Sequence, residues 1–143
     1  MAEMMARCGY KCSLCLIYRE NLKEDPKNRR RFRDGVDKYY GDKLTLEECY
    51  CDGCMTDDSE DPVLVTKDCE VRPCAIARNI ENCAYCVEYP CQTIKRKFVE
   101  RPKVEEKYGS PIPEQAYRLF VMPYESKRTL DTIRGKTKRK YVG

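Results

Sequence analysis

With 143 residues the chain is long enough for one domain or two small lobes. Leu, Ile, Val and Phe supply only 26 of those residues, so aliphatic burial alone makes a thin core, while eleven cysteines and no histidine are present. The missing histidine excludes HExxH sites, mixed Cys/His fingers and Ser-His-Asp or Cys-His catalysis, and the formal charge of +4 is one that two four-cysteine zinc sites would cancel, because ligating thiols bind deprotonated.

The opening "MAEMMARCGY" has no basic stretch followed by a long apolar one, and no later segment has the length and apolarity of a membrane span. The expected location is cytoplasmic, where thiols stay reduced and clustered cysteines are metal ligands more often than disulfides. "RCGYKCSLCLIYRE" then places Cys8, Cys12 and Cys15 at C-x3-C-x2-C spacing. "SLCLIYRENLKE" reads as a helix capped by Ser13, which puts Cys15 at its start. After Pro26, "KNRRRFRDGVDKYYG" spaces Phe32, Val36 and Tyr39/Tyr40 along one helical face and ends at Gly41, with the arginines outside.

"CYCDGC" holds Cys49, Cys51 and Cys54, with Gly53 available for the positive φ of a tight ligand turn. "DDSEDP" reads as a solvated loop. The third block contains an internal echo: "CEVRPC" (Cys69, Cys74) and "CVEYPC" (Cys86, Cys91) share the form C-x3-P-C. Cys83 precedes the second copy, and Thr66 stands at the equivalent place before the first. Both copies read as helix starts with Pro73 and Pro90 at the first helical position, which places Cys74 and Cys91 where the helix dipole favours a thiolate. "KYGSPIP" reads as a linker, and "PEQAYRLFVM" and "YESKRTLDTIRGK" as two short helices divided by Pro123. Residues 126–143 carry seven Lys/Arg against one Asp, the pattern of a solvated tail or of a contact for nucleic acid. Sustained apolar/polar alternation is missing.

The pairs Cys12/Cys15, Cys51/Cys54 and Cys83/Cys86 are C-x2-C knuckles, whose tight turn lets two sulfurs reach one ion. Thiolate-rich sites select zinc or iron–sulfur clusters over magnesium, calcium or manganese. The Cys8/Cys12/Cys15 spacing is also that of radical-SAM enzymes, but the chain lacks their alternating strands and helices and a Gly-rich cofactor loop. The strand that precedes a thioredoxin-type C-x2-C is missing too.

"CGYKCSLC", "CDGC" and "CEVRPCAIARNIENCAYCVEYPC" together resemble the cysteine-rich family catalogued as domain of unknown function 3795, small prokaryotic proteins common in anaerobes. The resemblance implies a metal-binding fold without an assigned activity, and family cysteine positions at every cysteine above except Cys49. It also implies a further cysteine where this chain has Thr66, with Cys49 as a possible substitute. The expected protein is therefore mainly α, a small irregular metal-stapled domain with Cys knuckles and little β. Residues 1–100 would form the cysteine-rich domain and 101–143 a helical extension with a basic tail. The expected function is a zinc-binding structural or interaction module holding two or three ions, without catalysis of its own and with a protein partner. The alternative is an iron–sulfur protein for electron transfer or as an accessory to an anaerobic enzyme.

Overall fold

A computed structural model describes the backbone of residues 4–142 and the side chains of residues 4–136. Among the described residues the protein is mainly α, with seven helices: α1 (Arg19–Glu24), α2 (Asn28–Tyr40), α3 (Val71–Ala77), α4 (Gln92–Lys95), α5 (Arg101–Tyr108), α6 (Glu114–Phe120) and α7 (Ser126–Val142). Extended pairing among them is confined to two isolated bridges, Met5 with Lys11 and Tyr18 with Cys51. None of the helices is long and apolar enough to cross a membrane.

Helix α2 follows from its sequence. Phe32, Val36 and Tyr39 recur at helical spacing and are buried, and Gly41 ends the helix in the left-handed conformation at φ 73°. Against it pack α5 and α6. The resulting core gathers Ile17, Phe32, Val36, Tyr39, Val104, Phe120 and Val121, so residues beyond 100 complete the same core as those before it. A second, smaller cluster holds Ala6, Cys8, Val71, Ala84, Ile94 and Leu130. Each fully buried aliphatic side chain contributes about 1.5–3 kcal/mol of transfer free energy, and here such residues are few.

Several local expectations shift. Cys15 lies outside α1: Cys12–Leu14 form a short 3-10 turn, and α1 starts only at Arg19, with no capping bond from Ser13. Helix α3 begins two residues before Pro73, which occupies the third helical position, where a missing N–H is still harmless. Pro90 precedes α4, and Cys91 flanks it in an extended conformation. The run after Cys91 divides into α4 and α5 instead of forming one helix. "DDSEDP" contains a 3-10 turn at Asp58–Glu60.

The basic C-terminal stretch is helical from Ser126, and its first half is fastened. Leu130 is fully buried, and Arg134 Nη1 donates to the carbonyls of Ala84 and Cys86, 2.9 Å each. Arg134 also stacks over the Tyr89 ring, 5.2 Å from its centroid. The side chains of "TKRKYVG" lie outside the described residues.

Candidate metal centres

Two of the knuckles fold alike. "CSLC" and "CAYC" each make a 3-10 turn in which the last cysteine's N–H donates to the carbonyl of the first, 2.9 Å for Cys15 to Cys12 and 3.1 Å for Cys86 to Cys83. The closing cysteines have nearly identical backbones, φ −79° and ψ 131° for Cys15, φ −81° and ψ 133° for Cys86. The third knuckle, Cys51–Cys54, turns on Gly53 at φ 98°, as its sequence implied. A side chain on Gly53 would also lie 2.4 Å from Met4 Sδ. Asp52, between the two cysteines, holds this turn to the following loop: its N–H donates to Val63 O and its carboxylate accepts from Val63 N–H, both at 2.8 Å.

The fold brings the cysteines together in two groups. Cys8, Cys12, Cys15, Cys51, Cys54 and Cys69 line one cavity of about 90 Å³. Cys74, Cys83, Cys86 and Cys91 line a second, of about 30 Å³. The sequence echo does not carry through: Cys69 and Cys74 line different cavities, whereas Cys86 and Cys91 share one. Cys49 stands apart from both, fully buried in the α2-side core. Thr66, by contrast, lines the six-cysteine cavity beside Cys69. The position where the resemblance implied a cysteine is therefore at this cavity, and Cys49 lies away from it.

The six-cysteine cavity is rich in donors to sulfur. Arg7 N–H donates to Cys54 Sγ at 3.4 Å, and Cys15 Sγ lies 3.0 Å from the Tyr124 hydroxyl. Backbone amides of Tyr10, Cys54 and Ile17 favour the thiolates of Cys8, Cys12 and Cys15 respectively. Burial works against them and is the larger effect: it pushes the Cys8 and Cys12 thiols up to about 12 and raises those of Cys15 and Cys54. Neighbouring sulfurs add to the rise, Cys54 and Cys69 for Cys8, and Cys51, Cys15 and Cys54 for Cys12. In the smaller cavity burial, followed by Cys91, Cys86 and Cys74, pushes Cys83 up to about 12, and Arg78 Nη1 reaches Cys86 Sγ at 3.5 Å.

The charged residues on the larger cavity's lining are Arg72 and Lys97, with no carboxylate. Arg72 also ties α3 to the third knuckle, donating to Cys54 O at 2.9 Å and Thr56 O at 2.6 Å and pairing with Asp58 at 2.7 Å. Tyr124 and Arg72 are the residues that spacing did not reveal. Arg72 had a faint signal, lying inside "CEVRPC", but Tyr124 is brought in only by the tertiary fold.

Six sulfurs without a carboxylate in the larger cavity, and four in the smaller beside Glu88, which pairs with Arg78 at 2.6 Å, suit soft and borderline ions, zinc and iron above all, more than magnesium or calcium. Among the described residues no three Cys, Asp or Glu side chains stand in ion-holding geometry.

The sequence profile of one family, described as Protein of unknown function (DUF3795), matches residues 4–96. The chain belongs to this family. The DUF3795 segment contains all eleven cysteines and α1 to α4, whereas α5, α6 and α7, including Tyr124 and Arg134, lie beyond it. No curated protein and no solved structure matches the chain.

Proposed function

We propose that this DUF3795 member is a metal-binding module with all-cysteine sites, most simply zinc sites, that staple a thin core and present the resulting surface to a protein partner. The observation that carries this reading is the partition of ten cysteines between two cavities, with the eleventh in the apolar core. Buried thiols crowded in this way repel one another once ionised, and a divalent cation removes that repulsion. Amide and hydroxyl donors aimed at the sulfurs then stabilise the bound thiolates. An iron–sulfur cluster in the larger cavity is the second reading, favoured by a lining with more sulfurs than one tetrahedral ion takes.

Metal analysis and a visible spectrum on protein purified without oxygen test both. The expected result is zinc with no visible absorption. Iron with inorganic sulfide and a broad shoulder near roughly 400 nm would establish the second reading instead. Protein that holds neither metal, even after reconstitution, would refute both.

Cys49→Ala separates ligands from core cysteines. It is expected to leave the metal-to-protein ratio unchanged while costing about 1–2 kcal/mol of stability in a thermal melt, as a truncation of a fully buried side chain. A lost ion would place Cys49 among the ligands.

A further inference from the structure

A groove of about 530 Å³ lies at the first turns of α2 and shares no lining residue with either cysteine cavity. Lys27, Arg29, Arg30 and Arg31 line it against a single carboxylate, Asp34. The sequence dictates this placement: Phe32, Val36 and Tyr39 turn α2 towards the core, so positions 27, 30 and 34 share the opposite side, with Arg31 beside them. Two of the cations are braced. Arg29 Nη1 donates to Leu46 O at 3.2 Å, and its guanidinium lies 5.9 Å from the Tyr50 ring centroid. Arg31 Nη1 donates to Asp25 at 2.8 Å and to Asn28 Oδ1 at 2.9 Å. The other two, Lys27 and Arg30, are exposed, and among the described residues their side chains make no hydrogen bond or ion pair. Asp34 is already engaged by Arg33 at 3.0 Å. The helix end adds little, because its amides are occupied: Lys27 N–H donates to Asp25 Oδ1 at 3.0 Å, Asn28 N–H to Asp25 O at 3.0 Å and Arg29 N–H to Pro26 O at 3.3 Å. The positive charge of the groove therefore belongs to its side chains.

We propose that this groove binds a compact oligophosphate, a di- or triphosphate that is either free or carried by a nucleoside. Guanidinium forks match phosphate oxygens in pairs, and four cations within about one helical turn suit a ligand with several charges on adjacent groups. Size decides against nucleic acid. From Lys27 to Arg31 the cations extend about 6 Å along the helix axis, whereas a nucleic-acid binder that neutralises about 6–10 phosphates needs a longer track. The volume falls within the range of about 300–1,000 Å³ that small-molecule sites occupy. Pro26 and Leu46 supply an apolar edge for the nucleoside. This site goes beyond the metal-binding reading and does not depend on it.

The test is calorimetric titration of the full chain, at fixed ionic strength, with inorganic tripolyphosphate, a nucleoside triphosphate, the matching monophosphate and a single-stranded oligonucleotide. Metal analysis before and after each titration keeps binding at the groove separate from extraction of any bound ion. One site for either triphosphate is expected, weakened by added salt, with the monophosphate about tenfold weaker or more. Lys27→Gln/Arg30→Gln should lower triphosphate affinity by about tenfold or more, with an unchanged melting temperature because both side chains are exposed. Lys136→Gln, which removes an exposed cation from α7, should leave the affinity unchanged. Equal affinity for the two triphosphates would support recognition of the phosphates alone, and tighter binding of the nucleotide would support a contact with Pro26 and Leu46 as well. The proposal is overturned by no triphosphate binding, by undiminished binding to Lys27→Gln/Arg30→Gln, by an equal loss in Lys136→Gln, by displacement with sulfate at the same ionic strength, or by an oligonucleotide that binds more tightly than either triphosphate.

Discussion

A chelator that strips the reduced protein of metal is expected to abolish its cooperative thermal melt. The reasoning is one of magnitudes. Small domains have net stabilities of about 5–15 kcal/mol, whereas structural zinc in thiolate sites contributes an apparent 10–16 kcal/mol or so per site at neutral pH. Removing even one ion would therefore consume most of the margin. The second core cluster has only Val71, Ile94 and Leu130 as large, fully enclosed aliphatics, with Tyr10, Tyr89, Phe98 and Ile133 packed at its margin. What remains should be a chain with helical signal but no sharp transition, followed by circular dichroism in the far and near ultraviolet. An unchanged melting curve after metal analysis confirms complete removal would sink the idea that the ions hold the fold together.

Gly35→Ala is expected to destabilise the protein by about 1–3 kcal/mol or more, although alanine is the better helix former by about 1 kcal/mol. Gly35 lies within α2 and is packed beneath the Phe120 ring of α6. A β-carbon there would stand 2.0 Å from Phe120 Cζ and 2.2 Å from Cε1, far inside van der Waals contact. Phe120 is itself buried and packs against Tyr39, with ring centroids 5.7 Å apart, so it has little room to retreat. The double variant Gly35→Ala/Phe120→Leu should recover part of the loss, and a thermodynamic cycle would measure the coupling. If Gly35→Ala raised the melting temperature, the close packing of α2 on α6 described here would be incorrect.

How far the sequence led depends on the range of the interactions involved. Helix α2 was legible because its signals are local: three apolar residues at helical spacing and a glycine suited to the left-handed stop. The turn at "CDGC" was legible for the same reason. Pro73 and Pro90 misplaced the starts of α3 and α4, because proline is tolerated throughout the first turn and just before it, not only at one position. The split of the cysteines could not be read at all. Whether Cys69 faces Cys8 or Cys74 depends on how α3 packs against the N-terminal loops, and C-x3-P-C spacing is the same in either case. The sequence offered Cys49 as a substitute for the cysteine missing at Thr66, a reading that spacing cannot check against the buried, apolar surroundings the fold gives it.

The bonds that close the cysteine cavities reach well past the segment that sequence similarity defines. Tyr124 meets Cys15, Lys11 N–H donates to Pro123 O at 2.8 Å, and Arg134 grips the carbonyls of Ala84 and Cys86. The matched family segment ends at residue 96, before all of these partners. A fragment cut there would keep every sulfur and lose the lid over one cavity and the clasp on the other. In this chain the contacts that close the cavities therefore extend past the segment defined by sequence similarity, and expression boundaries, fusion junctions and domain transplants should include them.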